Sequence, residues 1–214
     1  MIRIEENKMG WQSMYSSGSF RITTGEPSRI VKLGLDKRLM KFKKAADLGC
    51  GNGRNSLYAA SLGYLVDAVD LVDLNFLENV DQKIMERIKF HNSGIMDFNI
   101  CNGAYQSIIM TRIMQYLDDN DLKDLLLRCA NGLEIYGKLI LSYTASGGFS
   151  PEDKCIMKHS RSIGSIKLML EKSGFKTIHL SQGAGTTLNT NISLSAETYD
   201  IMAEKPYPLP GSQL

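Results

Sequence analysis

The residues of this chain best suited to do chemistry stand in one short run. Asp47, Gly49, Cys50, Gly51 and Gly53 come first, Asn55 follows directly, and Asp70 and Leu71 close it. Glycine at alternate positions lets a backbone turn sharply and approach a ligand closely, because no Cβ intervenes. A helix starting just beyond would turn its unpaired N–H groups toward that ligand. A carboxylate at the tip of a following strand can accept both hydroxyls of a ribose, and Asp70 is placed for that role. The run reads as a site for a nucleoside-containing cofactor.

The elements that must hold these residues can be read from their surroundings. Ala45 to Leu48 suits a buried strand, the residues after Gly53 a short helix closed by Gly63, and the stretch up to Asp70 a second strand. A helix is expected from the turn Gly25-Glu26-Pro27-Ser28 to about Met40. Another is expected from about Asn75 to Ile88, where Leu77, Val80, Ile84 and Ile88 recur at helical spacing. Further strands fall at Ile88 to Asn92, Ala104 to Met110 and Lys138 to Tyr143. Leu122 to Leu133 is an amphipathic helix with Asp118, Asp119 and Asn120 as cap candidates. A helix from about Ser162 to Ser173, stopped by Gly174, leads to strands at Phe175 to Leu180 and Glu197 to Ala203. The basic run Lys37, Arg38, Lys41, Lys43 and Lys44 reads as a solvated helix end that complements the dipole.

The dinucleotide fingerprint G-x-G-x-x-G would put its third glycine at Arg54, so the run does not fit it. What stands here is D-x-G-x-G-x-G with an acid at the end of the next strand, inside LGCGNGRNSLYAA. These residues resemble the class I S-adenosylmethionine (SAM) methyltransferases, most of all their small-molecule branch, the tellurite-resistance and thiopurine type. The resemblance extends from about Trp11 to Lys205 and is strongest in the first half. It implies a three-layer αβα sandwich, Rossmann-like, whose seven-stranded, mostly parallel sheet ends in an antiparallel hairpin.

For the site, the resemblance implies that Asp47, Gly49, Cys50, Gly51 and Asn55 support the methionine half of SAM and that Asp70, with Leu71, holds the ribose. Backbone near Ile95 and Met96, with Asp97, would meet the adenine, and Thr111 and Arg112 the methionine amino group. Arg21 offers the SAM carboxylate a bidentate partner. No N/D-P-P-Y/F follows the fourth strand, which disfavours methylation of exocyclic base amines. The same turn lacks the carboxylates of the metal-dependent catechol type, so no metal is expected.

Residues 1–25 are polar and rich in glycine and serine, punctuated by Trp11, Tyr15 and Phe20. Their W-x-x-x-Y resembles the segment that covers SAM in small-molecule methyltransferases. The expected organisation is an arm or lid over 1–25, a methyltransferase-like domain over 26–205 and a tail over 206–214. Aromatic faces stabilise a sulfonium by about 0.5–2 kcal/mol each, which makes Tyr15 and Tyr116 catalytic candidates. His159, in KHSRS, is the histidine best placed to take a proton. The function expected is methyl transfer from SAM to a small molecule. Two alternatives stand beside it: an enzyme on this fold that cyclises or cleaves SAM without an acceptor, and a non-catalytic SAM-binding protein.

Composition limits the rest. A chain of 214 residues fits one domain, and a net charge of +2 gives no general attraction for nucleic acid or for a membrane surface. Cys50, Cys101, Cys129 and Cys155 are scattered and read as buried small hydrophobes in a reducing compartment. The N-terminus is not an apolar signal region and no apolar run approaches membrane-spanning length, so a cytoplasmic protein is expected. A small-molecule substrate is the expected partner, with neither nucleic acid nor membrane; a homodimer is left open.

Overall fold

The computed structural model describes residues 11–13, 25–35, 43–146, 159–186 and 195–207. Seven strands form one sheet: β1 (Lys44–Leu48), β2 (Leu65–Asp70), β3 (Ile88–Asn92), β4 (Tyr105–Thr111), β5 (Leu133–Ser146), β6 (Lys176–Thr186) and β7 (Ser195–Glu204). Their order is β3-β2-β1-β4-β5-β7-β6, with β1 to β5 parallel and β7 antiparallel to both its neighbours. The order reverses at β1, which lies between β2 and β4. Beyond the carboxyl ends of these strands the connections diverge, and that leaves a crevice.

Alternate residues along the strands feed two cores. On one face Leu48, Ile108, Met110, Leu141 and Ile201 pack with Leu122, Leu125 and Leu126 of α4 (Asp119–Gly132) and Ile166 and Leu170 of α5 (Ile163–Lys172). On the other, Ala45, Ala68, Ile109, Ile140 and Met202 meet α1 (Arg29–Gly34) and α2 (Arg54–Ser61). Strands covered on both faces read as nearly continuous apolar runs, which is why β1, β4 and β5 stand out in the sequence. Caps hold the helices: Asp118 accepts from Asn120 N and Asp121 N, each at 2.9 Å, and Ser162 from Ser165 N at 3.1 Å. Among the described residues no helix is long and apolar enough to cross a membrane.

Several expectations need correction. The helix expected to reach Met40 ends at Gly34, with Leu35 already extended at ψ 130°. A Cβ at Gly34 would lie 2.7 Å from Ile140 Cδ1, so close packing on β5 puts a poor helix former there. The helix expected over 75–88 shrinks to α3 (Gln82–Met85), because Asn75 and Asn79 take left-handed conformations at φ 50° and 60°. Ile88 starts β3, whose bounds are those expected from the sequence. Strand β5 begins at Leu133, not Lys138, and runs through an irregularity at Tyr136, φ 64°. Cys50 and Cys129 are buried, but Cys101 is exposed; Cys155 lies outside the described residues.

Lys43 and Lys44 are not a solvated helix end. Lys43 is buried, its ammonium 5.1 Å from the Tyr64 ring centre. Lys44 pairs with Asp67 at 2.8 Å and lies 4.8 Å from the Tyr105 ring centre. Asp67 also meets His91 Nε2 at 2.8 Å and accepts from Tyr105 OH at 2.9 Å. Burial alone would raise the Asp67 pKa, but the hydrogen bonds from Lys44, His91 and Tyr105 outweigh it and hold the carboxyl below its ordinary value. Such a group stabilises the fold above its unfolded pKa and loses that contribution as pH falls through the folded one. Asp67→Ala should cost about 2–4 kcal/mol near neutral pH, where three donors lose one acceptor. Urea titrations should show the deficit shrinking below about pH 4, as the wild-type carboxylate takes up its proton; a deficit independent of pH would contradict this.

Candidate cofactor site

The loop from β1 to α2 passes through Gly49, Gly51 and Gly53 at φ 73°, 54° and 71°. Space as well as φ excludes a side chain. A Cβ would lie 2.4 Å from Ile113 Cγ2 at Gly49 and 1.9 Å from the Phe76 ring at Gly53. Gly49 N and Cys50 N both donate to Val69 O, at 2.8 and 3.0 Å. Asp70 completes the attachment: Oδ2 accepts from Gly51 N at 2.8 Å and Oδ1 from Val72 N at 3.0 Å. Burial raises its pKa in spite of these bonds. Asp70 is thus half-buried and braces the loop.

Asp47 lies beneath the loop with no exposed surface. Its Oδ2 accepts from Ser56 Oγ at 2.7 Å, whereas Oδ1 has no partner. Burial lifts its pKa to about 6; the Ser56 bond opposes this, Asp70 adds to it and Arg54 opposes it. Asn55 ties three elements together. Its Nδ2 donates to Thr111 Oγ1 at 3.0 Å and its Oδ1 accepts from Ser28 N at 2.9 Å, linking α2 to the end of β4 and the start of α1. Cys50 is buried, and burial pushes its thiol up well above the ordinary value, so it lines the loop and is no nucleophile.

At the far side, Leu71 and Asp97 come together over Gly94. A Cβ there would lie 2.6 Å from Asp97 Oδ2 and 3.7 Å from Leu71 Cδ2. Asp97 N and Phe98 N both donate to Gly94 O at 3.0 Å, and Arg128 holds Met96 O at 2.9 Å. Ile95 and Met96 pack onto the core beside this turn. The residues expected to meet the adenine therefore lie beside Leu71, expected at the ribose.

The turn after β4 carries the remaining candidates. Arg112 takes φ 59°, a left-handed conformation uncommon for a side chain of this size. Its N donates to Ser142 O at 3.0 Å, and its O accepts from Gln115 Nε2 at 2.8 Å. Gln115 is buried, with its Oε1 unpartnered. His159 N donates to Gln115 O at 2.7 Å, and the Tyr116 ring meets Trp11 edge-on at 4.8 Å. Arg112, Tyr116 and His159 thus gather at one turn. Tyr15 and Arg21 lie outside the described residues.

Sequence reasoning missed Arg161. Its buried guanidinium donates to Asp119 Oδ1 at 2.7 Å, Met114 O at 2.9 Å and Leu117 O at 2.6 Å, and fixes the same turn from behind. Nothing separates it in sequence from other arginines in polar connections.

These features fit SAM: a loop of left-handed glycines between β1 and α2, and an acid at the end of β2 whose carboxylate reaches that loop. Comparison with known proteins agrees. The fold is shared with a Burkholderia thailandensis 1,6-didemethyltoxoflavin-N1-methyltransferase solved with its substrate and S-adenosylhomocysteine, at TM-score 0.75 and 17% identity over 95% of this chain and 88% of that one. Demethylspheroidene O-methyltransferase of Rhodobacter capsulatus is 28% identical over 78% of this chain and 43% of its own length. Ribosomal protein L11 methyltransferase of Campylobacter fetus is 32% identical over 49% of this chain and 36% of its own. The chain therefore spans less than half the length of the curated relatives it matches. The fold is that of the class I SAM-dependent methyltransferases. The chain belongs to the family of tellurite resistance protein TehB, whose model matches residues 30–145.

The raised Asp47 pKa has a sign that can be tested. The folded value, about 6, lies above the ordinary 3.8, so the folded state holds its proton more tightly and stability falls as pH rises between the two. Asp47→Asn removes that dependence. The stability of the variant relative to wild type should swing in its favour by roughly 3 kcal/mol between about pH 4 and about pH 7, at about 1.4 kcal/mol per pKa unit. Urea denaturation across this range measures the swing; a constant difference would mean that Asp47 is ionised throughout.

Proposed function

We propose that this chain transfers the methyl group of SAM to a small-molecule acceptor. The observation that carries this reading is the turn Arg112–Leu117. It stands at the carboxyl end of β4, next to Asn55 and Thr111, and its outer side is walled by the chain's own Trp11 and His159. A turn packed against the chain's own residues favours a compact acceptor over a macromolecular surface. The solved relative that holds a small heterocycle, and the curated O-methyltransferase, lend support.

SAM, when bound, supplies a methyl group already activated by the sulfonium. The chain has to position and shield. Asp70 offers its carboxylate to the ribose, Leu71 and the 94–97 turn flank the adenine, and the Gly49–Gly51 backbone, with Asp47 buried beneath it, takes the methionine half. Thr111 and Arg112 border its amino end. The Trp11 and Tyr116 rings give a cation an aromatic surround, and residues 1–25, carrying Tyr15 and Arg21, serve as the lid that excludes water. Alignment of the reacting atoms alone accounts for roughly 7–11 kcal/mol of such a barrier.

The experiment has two parts. Calorimetry should detect SAM and S-adenosylhomocysteine but not NAD, and Asp70→Ala should weaken S-adenosylhomocysteine by about 1.5–3 kcal/mol, the range for hydrogen bonds to a charged group. Unchanged affinity would leave Asp70 as a brace alone. Tritiated SAM supplied with a fractionated cell extract should then label compounds in the low-molecular-mass fraction. Label confined to proteins or nucleic acid would overturn the small-molecule reading.

A further inference from the structure

A polar row crosses the sheet beside the cofactor crevice. Thr111 of β4 is in register with Ser142 of β5, Ser142 with Asp200 of β7, and Asp200 with Ser181 of β6. Each of the first three is two residues from a member of the α1 and α2 core, namely Ile109, Ile140 and Met202, so all point to that face. The face is apolar under α1 and turns polar one row further on. Thr144 and Thr198, also in register, continue it. Asp200 is the one carboxylate in these two rows.

Its position is informative. Adjacent strands lie about 4.8 Å apart, which places Asp200 about 10 Å across the sheet from Thr111, with Ser142 between. Thr111 is bonded to Asn55 of the cofactor loop, so the row adjoins that loop; Thr111 and Ser142 are small and buried, and Asp200 is its half-buried far end. Arg29 of α1, Arg112 after β4 and His179 of β6 are the charged and titratable groups around the half-buried Asp200. Among the described residues none closes to ion-pair distance of it. Burial raises its pKa against the pull of Arg29, His179 and Arg112, toward the range where a carboxylate works as a base.

We propose that Asp200 is the proton acceptor of methyl transfer, and that the acceptor is a polar molecule with an O–H or N–H nucleophile lying between Thr111 and Asp200. This rests on the small-molecule reading above. A lone pair on the acceptor's oxygen or nitrogen forms the bond to the methyl carbon as the carbon–sulfur bond breaks toward sulfur, leaving a neutral thioether. The proton on that oxygen or nitrogen passes to the Asp200 carboxylate and from there to water.

The placement can be tested without knowing the acceptor. S-adenosylhomocysteine is neutral at sulfur, whereas sinefungin carries an amine cation near the position of the transferred methyl. In calorimetry at neutral pH, Asp200→Asn should leave S-adenosylhomocysteine within about twofold of wild type and weaken sinefungin at least about threefold, since one nearby negative charge is gone. An unchanged ratio overturns the placement. With tritiated SAM and the small-molecule fraction, turnover should fall about 100-fold or more and its acid limb should disappear from the pH profile. Wild-type turnover in Asp200→Asn overturns the role. If the Asn variant does not fold, Asp200→Glu decides: it keeps the charge and the sinefungin preference, but turnover falls at least about tenfold, and undiminished turnover counts against the proposal. Wild-type enzyme that labels only macromolecules refutes the small-molecule reading instead, while the sinefungin ratio still judges where Asp200 stands.

Discussion

The bond from Gly51 N–H to Asp70 holds the centre of this molecule together. The loop it anchors passes through three left-handed glycines and has almost no side chains with which to secure itself. It is attached instead through backbone: Gly49 and Cys50 to Val69 O, Gly51 to Asp70. A ligand that drew on this carboxylate would act on the loop geometry as well. The loop roofs over Asp47, where burial and an unpartnered oxygen disfavour the charged form and raise its pKa. The fold therefore carries a destabilising group directly under its cofactor crevice.

How much of this was legible follows from which forces are local. The glycine loop and both of its acids could be read because conformation at a tight turn is a property of the residues themselves. The parallel strands showed as apolar runs because both faces are covered. The stretch 75–88 misled because helical spacing of Leu77, Val80 and Ile84 says which residues turn inward, not what backbone carries them; Asn75 and Asn79 settled that. Lys43 and Lys44 misled because their partners, Tyr64, Asp67 and Tyr105, come from later strands. Gln115 and Arg161 were hidden for the same reason. Their roles exist only once the turn after β4 and the segment before α5 are packed together.

The two sides of the crevice are built differently. The cofactor side is mostly backbone, with glycine, carbonyl and N–H groups set by strand ends. The opposite side is mostly side chain: Tyr116 against Trp11, Gln115 under Arg112 and Arg161 bound to three acceptors. Backbone contacts suit a ligand common to a whole family, since they do not depend on residue type. Side chains can change without moving the sheet, and acceptor choice can diverge through them on a constant frame.

Phe76 extends this coupling to a region far from any reacting atom. Its ring lies where a Cβ on Gly53 would be and packs edge-on against Phe90 at 5.7 Å, so the connection from β2 to β3 forms the floor beneath the start of α2. Two segments separated in sequence share one wall, and neither can loosen without exposing the other. Hydrogen exchange is then expected to couple the amides at 54–57 with those at 76–78. A ligand that steadies the glycine loop would then quieten a surface connection it never touches.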